Sequence, residues 1–436
     1  MIIINFKAKI IAVFLCLSLA GLLGCGSVLN DTDKTLDAGK NTLDFVDDSA
    51  TTEAQWKAIG EYFDDTIYDK VTNKFSTPID EDGNNQVVIL FFTMSNDSLG
   101  GYFWSGDFFS NETGSNQMEI LYINRTHFNL ALDTISHEFE HLVNASERLR
   151  IAQNTDTEFA QQSTWIDEGL AESAAHLVKN EILSEHVTNF NNGSLRNGIP
   201  LLKWNGNFHD YTQSYLFFQY IKNQASSGDA IFKSIIEDTN ADYRAVEGVV
   251  TPLNAGFSNF DDILSSYSLA NLARQSTGLY GYKDEMSLFG LNLPYDPTNN
   301  PSLYSGGILY KYPSESDLNS FLPSGAGSNI HFYRVNQSST ANAQLTDITI
   351  AGFDQKALVI VNHNTNKDGA GESIGTLPDS SFPSGRMVPG KSDTSFVKCA
   401  SFAVQELGEM LRLISPSKDV EEPSELSYQT LTHTFN

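Results

Sequence analysis

The order of its apolar runs restricts this chain's fold more than any other feature of the sequence. "NNQVVILFFTM" (Asn84–Met94), "GGYFWSG" and "NQMEILYINR" are dense in β-branched and aromatic residues and read as strands. Ahead of them Trp56, Ile59, Phe63 and Ile67 recur at three and four residues, which is helical spacing. After them helical periodicity covers Leu130–Ser146, Thr164–Asn180, Tyr211–Asn223 and Phe260–Arg274. Strands first and helices afterwards predict an α+β fold. Beyond about residue 290 Pro, Ser, Gly and Asn cluster. There "NIHFYRV", "LTDITIAGF", "KALVIVNHN" and "TSFVKCASFAV" predict a C-terminal β-rich, sandwich-like domain with no legible chemistry.

Within the first long helix, "TISHEFEHLVN" (Thr134–Asn144) sets His137 and His141 four residues apart, with Glu138 beside the first. Positions i and i+4 share one helix face, so both imidazoles can point at a single ion. Glu138 would then flank the open coordination position, where a carboxylate can take a proton from an activated water. The bare pattern also arises by chance on a helix, so it needs a third ligand.

That ligand is expected 27 residues after His141, in "TWIDEGLAESAAHLV". Glu168 and Glu172 stand four apart on a strongly helical segment and face the same way. A zinc ion with two histidines needs one more protein ligand and keeps its fourth position for water, and Glu168 fits that place. An isolated helix glutamate is ordinarily a solvated carboxylate; the upstream motif is what singles this one out. His176, one turn further on, reads as packing or surface. The metzincin pattern fails, because Asn144 and Glu147 stand where glycine and histidine would be required.

These two segments resemble the gluzincin metallopeptidases, the clan of thermolysin and aminopeptidase N. With "DEDGNNQVVILFF" and "GGYFWSGDF" ahead of them, they look most like the hyicolysin family of bacterial secreted peptidases, over roughly residues 55–280. The resemblance implies a zincin-type catalytic domain and one zinc ion on His137, His141 and Glu168. It further implies Glu138 as base and Glu172 as hydrogen-bond partner of the outer nitrogen of His137. Asp167 departs from the asparagine common in such proteins. The clan also supplies an oxyanion donor, a Tyr or His outside the zinc helices. "FHDYTQSYLFFQYI" offers His209, Tyr211 and Tyr215. Tyr211 is the expected donor because it aligns with the tyrosine of a Y-x-K-G segment, although Gln213 and Ser214 replace its lysine and glycine.

The implied activity is that of a zinc endopeptidase acting on protein or peptide substrates. An aminopeptidase of the same clan is the nearest alternative. It would use a G-x-M-E-N strand, of which Met118-Glu119 keeps only the centre. A host- or ligand-binding lipoprotein with an inactive zincin fold is the alternative from another class.

The N-terminus bears on location. Lys7 and Lys9 precede an apolar run from Ile10 to Leu23, followed by Gly24 and Cys25. The run is short for a membrane span and typical of a secretory signal. Its ending resembles the lipobox of bacterial lipoproteins, which implies cleavage before Cys25 and lipid on that residue. The protein is therefore expected in the bacterial cell envelope outside the cytoplasm, on the periplasmic face or the cell surface, touching membrane only through its anchor. With Cys16 removed and Cys25 acylated, Cys399 alone remains, so no internal disulfide can form. A formal net charge of −27 argues against nucleic-acid partners. The expected divisions are 1–24 signal peptide, 25–45 tether, 46–130 sheet lobe, 131–290 helical lobe with the zinc site, and 291–436 β-domain.

"IDEDGNNQ" leaves two readings open. Asp80, Asp82 and Asn84 alternate like the oxygen ligands of a Ca2+ loop, yet Phe91 stands where an EF-hand needs its glutamate. A turn before a strand explains the segment equally well.

Overall fold

A computed structural model describes residues 2–5, 53–94, 96, 98–191, 198, 200–254, 256–283, 285, 288, 302–337, 343–378, 398–402 and 429–434. In chain order the strands are β1 (Ile2–Asn5), β2 (Gln86–Phe92), β3 (Leu99–Trp104), β4 (Ile120–Asn124), β5 (Ser302–Leu303), β6 (Ile308–Lys311), β7 (Ile330–Val335), β8 (Leu345–Ile348), β9 (Ala357–Asn362), β10 (Glu372–Ser373), β11 (Lys398–Phe402) and β12 (Gln429–Thr434). The α-helices are α1 (Glu53–Tyr62), α2 (Tyr68–Lys74), α3 (Ala131–Thr155), α4 (Thr164–Lys179), α5 (Ser184–Asn191), α6 (Phe208–Gln224), α7 (Ala230–Glu237), α8 (Tyr243–Val250), α9 (Phe260–Ala273) and α10 (Glu315–Ser320). The chain is mixed helix and sheet, an α+β fold. It divides into two compact units: Met1–Arg150 with Val397–Asn436, and Ile151–Phe396.

The first unit is built on a mixed sheet of order β1-β12-β2-β4-β3-β11. β2 and β4 pair in parallel from Val88↔Ile120 to Phe92↔Asn124, and β3 runs antiparallel to β4. Val88, Leu90, Ile120 and Tyr122 pack with Met94, Leu99 and Met118 on one face. Val87, Ile89, Phe91, Leu121 and Ile123, pointing the other way, are buried too. Covered on both faces, these strands read as unbroken apolar runs instead of alternating ones.

Helix α3 runs nine residues past the expected end at Ser146. Ala145, Leu149 and Ala152 keep one face buried through this polar stretch. Arg150 also ties the helix to the chain ahead of β2, donating to the carbonyls of Thr77 at 2.8 Å and Pro78 at 2.7 Å and pairing with Glu147 at 2.9 Å.

In the second unit α4 packs against α6, and Trp165 closes the contact against Phe217 and Phe218. Gly169 permits the close approach, since a Cβ there would fall 2.4 Å from the Phe218 ring. The β-rich region holds a four-stranded sheet of order β6-β9-β7-β8. Leu309, Phe332 and Ile360 face Leu318 and Phe321 at α10. On the opposite face, Tyr310 donates to the Ser268 carbonyl of α9 at 2.9 Å, and Tyr333 meets Ser265 at 2.6 Å. "TSFVKCASFAV", grouped with these strands by sequence, instead supplies β11, which pairs in parallel with β3 of the first unit. The apolar pattern identifies a strand and its faces but carries no mark of its partner.

Candidate metal centre

Helix α3 presents the two histidines one turn apart on one face. Their ring centroids are 4.8 Å apart at 78°, and only 2% and 1% of their surfaces are exposed. Glu138 and Glu140 are both fully buried, and Glu140 Oε2 lies 3.7 Å from His141 Nδ1. The opposite face is apolar: Phe139 packs on Phe63 at 5.0 Å and stacks on Tyr68 at 5.5 Å. Two imidazoles and two carboxylates so enclosed are costly unless they bind a proton, a partner or an ion.

On β3, Tyr102 stacks on Tyr122 at 4.5 Å. Burial raises the Tyr102 phenol above its ordinary range, and the nearby charges of Asp107 and Glu138 raise it further. Tyr122 donates to Asp107 Oδ2 at 2.7 Å, and Asn116 Nδ2 donates to Asp107 Oδ1 at 3.0 Å. Burial pushes Asp107 up to about 6 despite these bonds. This polar network was missed by sequence reasoning, because "SGDFFSNETGSNQ" carries no periodicity.

Helix α4 holds Asp167, Glu168 and Glu172, all buried. Asp167 Oδ2 accepts from Gln161 Nε2 at 3.1 Å. Glu172 Oε2 is 3.1 Å from His186 Nε2, whose Nδ1 is 3.0 Å from Thr212 Oγ1; Asn189 Nδ2 donates to that hydroxyl at 2.7 Å. One neutral tautomer satisfies the whole chain: Asn189 donates to Thr212, Thr212 to His186 Nδ1, and His186 Nε2–H to Glu172. His186 went unnoticed because "ILSEHVTNF" joins the pattern only through space.

His176 is buried, with its Nδ1 2.8 Å from the Tyr215 hydroxyl, which also accepts from Leu183 N at 3.1 Å. The Tyr215 phenol is thus committed to packing helices together. Tyr211 lies in the first turn of α6, 3% exposed, its ring 4.9 Å from that of Trp204. A capping box of Asn207 and Asp210 fixes this turn; His209, half-buried, donates its backbone N–H to Asn207 Oδ1 at 3.0 Å.

Among the described residues, His137, His141 and Glu168 form a buried group whose ligand-type atoms lie within 4.8 Å of one another. Glu140, His141 and Asp167 form a second such group, and Asp80, Asp82 and Glu119 a third. Two imidazoles and a carboxylate are a donor set that suits zinc, so the first group could hold a metal ion. Glu119 is fully buried and accepts from Glu81 N at 2.6 Å. Cys25 and the apolar run before it lie outside the described residues.

No protein-family model matches the chain. The neutral metalloprotease ShpI of Staphylococcus hyicus is 31% identical to it over 264 residues, which cover 56% of this chain and 59% of that protein. The chain therefore spans about three-fifths of the length of the curated relative it matches.

Proposed function

We propose that this chain is a zinc metalloendopeptidase that works outside the cytoplasm, held to the bacterial membrane by lipid on Cys25. The observation that carries the reading is the buried group of His137, His141 and Glu168, whose donor types match a zinc site with a position left over for substrate or water. The likeness to a neutral metalloprotease supports it.

A zinc ion held there supplies Lewis-acid polarisation of a carbonyl and lowers the pKa of water to about 7. Glu138 takes the proton of the attacking water and passes it to the leaving amine. Glu172, whose Oε2 is 3.1 Å from His186 Nε2, serves to orient His137. Tyr211, set in a capped first turn and braced by Trp204, donates a hydrogen bond to the oxyanion. The endopeptidase reading is favoured over an aminopeptidase because the Glu119 carboxylate is enclosed beside Asp80 and Asp82 and bonded to Glu81. The lipid anchor rests on the sequence Leu22-Leu23-Gly24-Cys25.

Protein purified without chelator should carry one zinc per chain and hydrolyse casein. A chelator should remove both properties, and zinc should restore them. Undiminished hydrolysis by metal-free protein would overturn the proposal; cleavage of free-amine peptides but not of blocked ones would replace it with an aminopeptidase.

A further inference from the structure

We propose a second cation site, formed by Asp80, Asp82 and Glu119, that takes Ca2+ and staples the loop ahead of β2 to the start of β4. The oxygens of these three carboxylates lie within 4.8 Å of one another. Two of the side chains are exposed on the loop, and the third is fully buried beneath it.

The buried member points to a ligand. Glu119 Oε1 accepts from Glu81 N at 2.6 Å, whereas Oε2, sealed from solvent, has no hydrogen-bond partner. A buried carboxylate oxygen left bare is costly, and a cation satisfies it. Asn84 Oδ1 is a second enclosed oxygen without a partner, on a side chain whose amide nitrogen is 2.5 Å from Asp82 Oδ2. The remaining carboxylate contacts are local: Asp80 Oδ1 accepts from Asn85 N at 2.9 Å, and Asp82 Oδ1 from Asn84 N at 3.2 Å.

Charge argues the same way. Burial, with the charges of Asp82 and Asp80 alongside, pushes the Glu119 carboxyl up to about 8, so without a cation it keeps its proton at neutral pH, and a cation bound among the three would replace that proton. An all-oxygen, acidic donor set with no imidazole or thiolate is hard, and at this loop it suits Ca2+ better than zinc.

The location gives such an ion a mechanical role. Asp80 and Asp82 lie in the loop a few residues ahead of β2, while Glu119 immediately precedes β4, its neighbour in the sheet. Val88 N already donates to the Glu119 carbonyl at 2.7 Å. A cation bridging the two segments would hold together the ends of this parallel pair. Glu119 was the missing element in the sequence, 37 positions beyond Asp82.

The test uses the full zinc-loaded chain in buffer stripped of calcium by resin, titrated with CaCl2 alone. Calorimetry should find one Ca2+ per chain, with a Kd of about 10⁻⁴–10⁻³ M, the range of extracellular modules. At about 100 times Kd the melting temperature should rise by about 5–10 °C, whereas sodium chloride of equal ionic strength should leave it unchanged. Glu119→Gln keeps the acceptor for Glu81 N but removes the charge. It should abolish the calcium-induced shift without lowering the calcium-free melting temperature, whereas loss of a merely structural contact would lower it. Asp82→Asn, on an exposed residue that does not endanger folding, should weaken calcium binding at least about tenfold. Absence of calcium binding to the wild type up to about ten times the upper Kd, or a full calcium-induced shift in Asp82→Asn, would overturn the proposal.

Discussion

Replacing Gly169 by alanine tests whether the close contact of α4 with α6 sets the position of Glu168. An alanine Cβ would stand 2.4 Å from Phe218 Cδ2, 2.7 Å from Cε2 and 3.0 Å from Ser214 Cβ. Carbon atoms in contact prefer about 3.5–4.0 Å, so a gap of about 1 Å must open. The Phe218 ring cannot swing aside easily: it is fully buried among Trp165 at 5.9 Å, Phe217 at 5.7 Å and Phe232 at 6.4 Å. The helices must therefore part. Overpacking of this kind costs about 1–3 kcal/mol, of which alanine's better helix propensity returns about 0.8–1.0 kcal/mol. The net loss should be about 0–2 kcal/mol, or a fall of up to about 8 °C in the melting temperature. Glu168 is the adjacent residue, so zinc affinity measured by chelator competition should weaken as well. Phe218→Leu in the Gly169→Ala background should recover part of the affinity, whereas alone it should only lower stability. An exposed helix glycine would respond the other way, gaining stability on becoming alanine. A Gly169→Ala protein more stable than wild type, with unchanged zinc affinity, would refute the packing argument.

Glu138→Gln should keep zinc, measured by metal analysis, while turnover falls by about 10²–10⁴; near-normal turnover would remove Glu138 from the mechanism. Tyr211→Phe should lower kcat by about 10²–10³ with little change in KM, and His209→Ala should be milder; the reverse ranking would exchange their roles. Cys25→Ser should move the protein from the membrane fraction to the soluble one and abolish fatty-acid labelling, and unchanged partitioning would argue against the anchor. Burial, then the charge of Lys222, holds His176 down at about 3, against 6.5 when unfolded. The unfolded chain therefore takes up this proton first as pH falls. The stability it reflects is complete above about pH 6.5 and is lost toward pH 3, at about 1.4 kcal/mol per unit. Urea unfolding of His176→Gln should show a shallower slope below pH 6.5; an unchanged slope would contradict the burial argument.

Where a segment's structure is set locally, the sequence was a good guide. β2 and β4 lie within the stretches expected for them and β3 begins one residue earlier, at Leu99, because strands buried on both faces write themselves as continuous apolar runs. α4 begins at the expected residue and ends one short, at Lys179, with Asn180 left-handed at its cap. The end of α3 was harder to read. Its last turns are held by Leu149 and Ala152 and by the grip of Arg150 on Thr77 and Pro78, more than 70 positions away. Strand partnership left no local trace, which is why β11 was assigned to the wrong neighbours.

The same division runs through the candidate site. A pair such as His137 and His141 is legible because the helix itself fixes their separation, and Glu168 with Glu172 follows the same rule. Residues that orient such groups are chosen by shape in space. His186 reaches Glu172 across 14 positions and Thr212 across 26, and Tyr122 reaches Asp107 across 15. None of these intervals is a helical or strand period. Their polarity also gives no warning, since a histidine or threonine on a short helix is unremarkable until its neighbours are known. Burial then makes the choice consequential. Where Thr212 donates to His186 Nδ1, the ring proton is on Nε2, toward Glu172 Oε2. Glu172 is 8% exposed, and this network holds it in place. The side chains that hold Glu172 thus lie on α5 and α6, away from the motif that first marked the candidate site.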